Sequence, residues 1–348
     1  MPELYLGSSP HINAPARTRT IMAQVLIALF PLSFFGIVFY GLRALAVMVV
    51  STSAAVIGEA LFRKITGQKN RISDLSAVVT GLLLALILPP GIPLWMAALG
   101  GLFSTVVVKG FFGGIGANVF NPALAGRAFL LMSFPAAMTT WAVPRSFVRG
   151  GGIEAVSRAS TYLSADSVSG ATPLGIIRLG STAVIPGLSG KELYAGTIRV
   201  LLFGNHGGSI GESSVVLILL GFLFLYFIKV IDWRAPAAMI ATVFALSLPL
   251  GMDPLFSILT GGLFFGAVFM ATDYTTAPLT SKGKLIFGAG AGIITVLIRR
   301  WGNYPEGVMF GILMMNACTP FLNRLLPKKY GYVPPKKEKK AGRGEPVT

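Results

Sequence analysis

The sequence is short of charge, and of acid above all. Aspartate and glutamate together make 13 of 348 residues, and all charged types reach only 12%. A soluble domain carries about 25%, so an ordinary solvated surface is excluded. Cysteine occurs once, as Cys318 inside an apolar run. This chain alone therefore builds no disulfide, no CxxC pair and no iron–sulfur cluster. Histidine occurs twice, His11 and His206, far apart and outside any metal-ligand spacing. Both read as polar loop residues, and neither completes a Ser/His/Asp set around Ser169. No GxGxxG fingerprint follows a strand. No metal and no catalytic acid or base are expected. Residues 1–16 lack the apolar core of a cleavable signal peptide.

What abounds is apolar surface: 53% of residues are hydrophobic, with a mean hydropathy of +0.72. Together with the scarcity of charge this predicts an all-α integral membrane protein. Stretches near the ~20 residues a bilayer requires lie at 20–40, 44–62, 77–90, 94–112, 122–141, 213–231, 235–250, 255–273, 285–299 and 306–325. The expected organisation is a short arm (1–19), a five-helix unit (20–141), a long polar loop (142–212), a second five-helix unit (213–326) and a basic tail (327–348).

The net charge of +16 follows from lysines and arginines at helix ends and in the tail, and no nucleic-acid partner is expected. Ten crossings put both termini on one side. Arg17, Arg19, Arg63, Lys64, Lys69, Arg71, Lys109, Arg127, Lys229, Arg234, Lys282 and Lys284 then share that side with the basic tail, whereas the short opposite loops hold only Arg43, Arg299 and Arg300. By the positive-inside rule the termini are cytoplasmic and the long loop is extracytoplasmic. Glu59 and Glu212 lie near predicted span ends and read as interfacial.

An internal repeat is visible. Residues 85–103 and 245–264 share the skeleton Ala-Leu-x-Leu-Pro-x-Gly, Pro-Leu and Gly-Gly-Leu-Phe, with Asp253 as the one inserted residue. Four predicted crossings separate the copies, an even number that on its own makes them parallel; one short run read as re-entrant makes them inverted. Helices interrupted by Gly and Pro at corresponding positions point to a central site. Polar residues follow each copy: Asn118 and Asn121 in the first, Asp273, Thr275 and Thr276 in the second. Asp273 reads either as an ion or cofactor contact or as a capping carboxylate.

The long loop contains Asp166, Ser169, Gly170, Ala171 and Thr172, followed by Pro173. Pro173 biases Thr172 toward an extended backbone and Gly170 permits a sharp turn before it. The spacing and order resemble a flavinylation motif, in which a flavin transferase esterifies threonine with FMN. That motif, the two repeat copies, and the stretches NPALAGR, MATDYTTAP and NHGGSIGESS resemble the family of the Rnf complex D subunit, an ion-translocating ferredoxin:NAD oxidoreductase component. The B subunit of the Na+-translocating NADH:quinone reductase is similar, usually with a longer N-terminal arm.

This resemblance implies covalent FMN on Thr172, with Asp166, Ser169, Gly170 and Ala171 forming the recognition turn around it. It also implies a non-covalent riboflavin, a urea-transporter-like fold with inverted halves, and a multi-pass place in the cell (inner) membrane. Rnf subunits A, B, C, E and G would be the partners and would carry the iron–sulfur and NAD sites. Asn118, Asn121, Asp273 and Thr275 mark the expected region for an ion or the second flavin. Arg178 is a candidate phosphate partner. The rival reading is a cofactor-free channel or solute carrier.

Overall fold

A computed structural model describes residues 18–68, 72–142, 169–170, 198–204, 206–212, 214–302 and 306–325. The described chain is mainly helical. The first half holds α1 (Thr18–Tyr40), α2 (Leu42–Ile65), α3 (Ser76–Ile87), α4 (Leu94–Leu102) and α5 (Pro122–Ser133), with a short α6 (Pro135–Met138). The second half holds α7 (Val215–Phe227), α8 (Arg234–Ser247), α9 (Pro254–Leu259), α10 (Leu263–Phe265), α11 (Ser281–Trp301) and α12 (Val308–Leu322). Between the halves, β1 (Trp141–Ala142) pairs antiparallel with β2 (Ser169–Gly170), Trp141 facing Gly170. Among the described residues, α1, α2 and α11 are long and apolar enough to cross a membrane.

The apolar pattern faces outward as well as inward. Ile27, Phe30, Phe34 and Val38 form an exposed stripe along α1, at spacings that share one helical face. A surface of this kind suits lipid. Inside, helices approach through small residues. A Cβ at Gly288 of α11 would lie 2.2 Å from the Ala235 carbonyl oxygen of α8, and one at Gly292 would lie 2.9 Å from the Met239 oxygen. This Gly-x-x-x-Gly spacing lets two backbones touch where lipid provides no hydrophobic drive between helices.

Both copies of the repeated skeleton break their helix at the prolines and resume as a short helix. Asp253, the inserted residue, is the N-cap of α9 and accepts from the Phe256 N–H at 2.9 Å. Each Gly-Gly-Leu-Phe then leads into a π-helix, Phe103–Gly110 in the first half and Gly266–Met270 in the second. Irregular polar segments follow, 111–121 and 271–280.

Several expectations change. The stretch 255–273 is not one continuous helix: it breaks at Thr260–Gly262, where Gly261 and Gly262 have φ of 65° and 64°, angles that only glycine adopts readily. The helix opening the stretch 122–141 ends at Ser133. Glu59 and Glu212 are not interfacial, because both carboxylates are buried in ion pairs. Arg63, Lys109, Arg127 and Arg299 are likewise buried. They answer nearby carboxylates or carbonyls.

Candidate functional site

The polar segments after the two π-helices meet. Asn121, the N-cap of α5, accepts from the Ala123 and Leu124 N–H groups at 3.0 and 3.2 Å. Pro122 at the first helical position suits that cap. The Asn121 amide donates across the halves to the Met270 carbonyl at 3.5 Å. Asn118 accepts from Gly116 N–H and donates to the Phe120 carbonyl and the Thr275 hydroxyl, the last at 3.2 Å. Asp273 accepts from the Thr275 N–H and from the hydroxyls of Thr275 and Thr276. Thr319 of α12 in turn donates to the Thr276 carbonyl. Residues 118, 121, 273 and 275, expected in one region, are therefore one hydrogen-bonded joint. Asp273 lies in a turn, its carboxylate fed by donors from Thr275 and Thr276.

A cavity of about 90 Å³ lies at this joint, lined by Ser76, Lys109, Asn118, Asn121, Asp273 and Thr275 among others. It is large enough for several waters, each needing roughly 10–15 Å³, and smaller than the ~150 Å³ that encloses benzene. A tricyclic ring would have to use the mouth as well as the floor. Lys109 is the residue sequence reasoning misplaced. Its ammonium donates to Glu59 at 2.6 Å and to the Ser76 hydroxyl at 2.5 Å, while Glu59 also binds Arg63 at 2.8 Å. A lysine buried in an apolar run was the signal: such a charge is held only where a partner compensates it.

A second polar cluster went unread. Arg127 of α5 binds Glu212 at 3.4 Å and also Glu306, so one guanidinium spans both halves. Arg299 of α11 donates to the carbonyls of Ser257, Thr260 and Gly261, the free C-terminal end of α9 at the helix break. A cation there also complements the helix dipole.

The segment 166–173, expected to carry flavin, is only partly described. Ser169 and Gly170 form β2; Asp166, Ala171, Thr172 and Arg178 lie outside the described residues, as does His11. The strap after the loop, 206–212, enters the interior: Ile210 and Gly211 N–H groups donate to the Leu88 and Leu86 carbonyls at 3.2 and 2.6 Å. His206 sits at the head of this strap, outside the spans, where burial pushes its imidazole below the ordinary value and the Gly207 carbonyl opposes that shift.

The sequence model of the NQR2, RnfD, RnfE family matches residues 5–331. The chain belongs to that family. A member from Clostridium ljungdahlii, named as the D subunit of a proton-translocating ferredoxin:NAD(+) oxidoreductase complex, is 41% identical over 336 residues, covering 94% of this chain and 96% of the relative. One from Acetobacterium woodii, named as the D subunit of a Na(+)-translocating ferredoxin:NAD(+) oxidoreductase complex, is 40% identical, covering 97% and 98%. The D subunit of the Stutzerimonas stutzeri ion-translocating oxidoreductase complex is 40% identical, covering 89% and 91%. The family match covers the broken helices, the joint of Asn118 with Thr275 and the loop between the halves alike.

Proposed function

We propose that this chain is the flavin-carrying membrane subunit of a redox-driven ion pump that links ferredoxin to NAD. The observation that carries the proposal is similarity along almost the whole chain to relatives named as the D subunit of such complexes. The chain acts as one translocase component, alongside partners of the A, B, C, E and G type that hold the iron–sulfur and NAD sites. It lies in the cell membrane with cytoplasmic termini and an extracytoplasmic loop 142–212. Its helices form two five-helix units of inverted orientation. The shared order of break, short helix, π-helix and polar segment in both halves supports the repeat.

Thr172 is the acceptor of FMN, attached by a flavin transferase that reads Asp166 through Ala171. Once bound, flavin accepts one or two electrons and so joins single-electron centres to two-electron donors. Thr172 itself is a tether. The slim residues Ser169, Gly170 and Ala171 leave room around the phosphate. The cavity beside Asn118, Asn121, Asp273 and Thr275 is the region for the translocated ion or the non-covalent riboflavin. The small floor of this open cavity suits an ion with its waters, and a ring would extend through the mouth. Lys109 gives this wall a fixed positive charge, and Asp273 a negative one.

The deciding experiment is in-gel fluorescence of the denatured subunit from cells that express the transferase. Wild type should fluoresce under ultraviolet light and Thr172→Ala should be dark. Equal brightness in Thr172→Ala would move the attachment elsewhere. A dark wild type whose loop peptide has unmodified mass would favour the cofactor-free channel.

A further inference from the structure

The turn between α7 and α8 carries an open hollow of its own. It has a volume of about 520 Å³ and is lined by Tyr226, Lys229, Asp232, Trp233, Arg234 and Lys284 among others. Small-molecule sites commonly span ~300–1,000 Å³. Three of the lining residues are cationic and one is anionic, an excess of two positive charges.

The cations are held in place. Asp232 Oδ2 accepts from Arg234 Nη1 at 2.8 Å and from Lys284 Nζ at 3.0 Å. One carboxylate oxygen thus sets two cations side by side, and each keeps further N–H donors. The Arg234 guanidinium also lies over the Trp233 ring, 5.8 Å from its centre. The third cation is placed by the backbone. α7 ends in a Schellman motif, in which the Lys229 N–H donates to the Tyr226 carbonyl and the Val230 N–H to the Leu225 carbonyl, both at 2.9 Å. Lys229 occupies the left-handed position of that motif, with φ of 59°. Glycine is the usual residue there, because a Cβ is a steric burden. Strain of this kind persists where a side chain is put to use. The Lys229 ammonium is exposed and makes no ion pair among the described residues.

The hollow lies at the end of an apolar stripe. Leu220, Leu223 and Phe227 of α7 are exposed, at spacings that share one helical face. Tyr226 and Trp233 are 40% and 47% exposed, and such amphipathic rings concentrate where hydrocarbon meets water. An apolar stripe that runs into a group of cationic donors matches a molecule with acyl chains and an anionic head. A free phosphate would use the cations and leave the stripe idle.

We propose that this hollow binds an anionic phospholipid, its phosphodiester held by Lys229, Arg234 and Lys284 and its chains laid along α7. Basic pockets between membrane helices take headgroups of this kind. Ammonium and guanidinium donors give phosphate oxygens charge-assisted hydrogen bonds, whereas a choline head brings a cation of its own into the hollow. Behind Asp232 and Lys284, a smaller hollow of about 120 Å³ reaches Thr272 and Tyr274. The bound lipid therefore adjoins the polar segment 271–280.

The test is native mass spectrometry of the assembled complex titrated with phosphatidylglycerol or phosphatidylcholine, reading the lipid retained on this subunit after its release in the gas phase. Wild type should retain phosphatidylglycerol preferentially, and inorganic phosphate should not displace it. Affinity should fall about fivefold in Lys229→Gly, and about twenty-fivefold when Lys284→Met is added, from the share each basic residue near a membrane surface contributes. Lys229→Gly relieves the left-handed position, so lost folding does not account for lost lipid. Lys284→Met leaves Arg234 on Asp232. Lys64→Gln removes the same charge at the end of α2, outside the hollow, and should lose less than either. Equal retention of the two lipids by wild type, the result expected if an acidic segment of a partner subunit fills the hollow, overturns the proposal. Wild-type affinity in Lys229→Gly, an equal loss in Lys64→Gln, or displacement of the lipid by inorganic phosphate overturns it as well.

Discussion

Two helix breaks, one at the prolines of the first repeat copy and one at the paired glycines of the second, are completed in opposite ways. In the first half, the carbonyls at the end of α3 are met by main chain: the Ile210 and Gly211 N–H groups of the strap donate to Leu88 and Leu86. In the second half, the carbonyls at the end of α9 are met by one side chain, Arg299. The demand is the same, because backbone acceptors at membrane depth must be paired within the protein. The donors differ because the strap presents backbone N–H groups to the first break, whereas at the second it presents the Glu212 carboxylate, which lies against Gly262 and only accepts. One joint can therefore be dismantled by a point substitution and the other resists it.

The largest expected effect follows from that difference. Arg299→Leu should leave three carbonyls bare, at roughly 1–3 kcal/mol each, and should abolish recovery of folded subunit in size-exclusion chromatography. Arg299→Lys should recover part of it, since an ammonium offers fewer directed donors. Normal yield and thermal midpoint in Arg299→Leu would mean that the second joint has other donors. Next comes Arg127→Met, which strands Glu212 and Glu306 and should cost about 3–5 kcal/mol. Adding Glu212→Gln and Glu306→Gln should return much of the lost thermal stability, because the uncompensated charge is then gone.

The first joint should respond less. Gly211→Ala places a Cβ 2.7 Å from Leu86 Cβ and leaves the N–H donor in place. About 1–3 kcal/mol of overpacking is expected, read as a lowered thermal midpoint with assembly intact. A collapse as complete as that of Arg299→Leu would erase the contrast between main-chain and side-chain completion.

The smallest effect tests an exposed pairing distant from both joints. Burial works against the charged form of Asp232, but the Arg234 N–H and the Lys284 ammonium outweigh it and hold its carboxyl below the ordinary range. A depressed folded value contributes stability above the unfolded value, near ~3.9, and loses it as pH falls through the folded value. Partly exposed pairs of this kind contribute under about 1 kcal/mol. Asp232→Asn should therefore lower the thermal midpoint slightly at neutral pH and converge with wild type in acid, which flattens the acid side of the profile.

Much of the helical frame was legible in the sequence, because apolar run length and proline position are local signals. The region of Asn118, Asn121, Asp273 and Thr275 was legible for a related reason: polar residues recur at a fixed distance after two matching Gly/Pro skeletons. The donors that complete the frame were not. Arg127 meets Glu306 across 179 positions and Lys109 meets Glu59 across 50, and no periodicity links them. The positive-inside count carries no information on such pairing, because it scores basic residues by their position along the chain alone. A charge embedded in an apolar run signals a buried partner more often than a loop.

The π-helices set a rule about length. Each residue of a regular helix turns the chain by about 100°. Removing one residue from Phe103–Gly110 would swing Asn118 and Asn121 a quarter-turn or more around the axis, away from Thr275 and the Met270 carbonyl they bind. The spacing from the paired glycines to these asparagines is thus a gear ratio. Substitutions along it can be absorbed, but a deletion would disengage one half of the protein from the other.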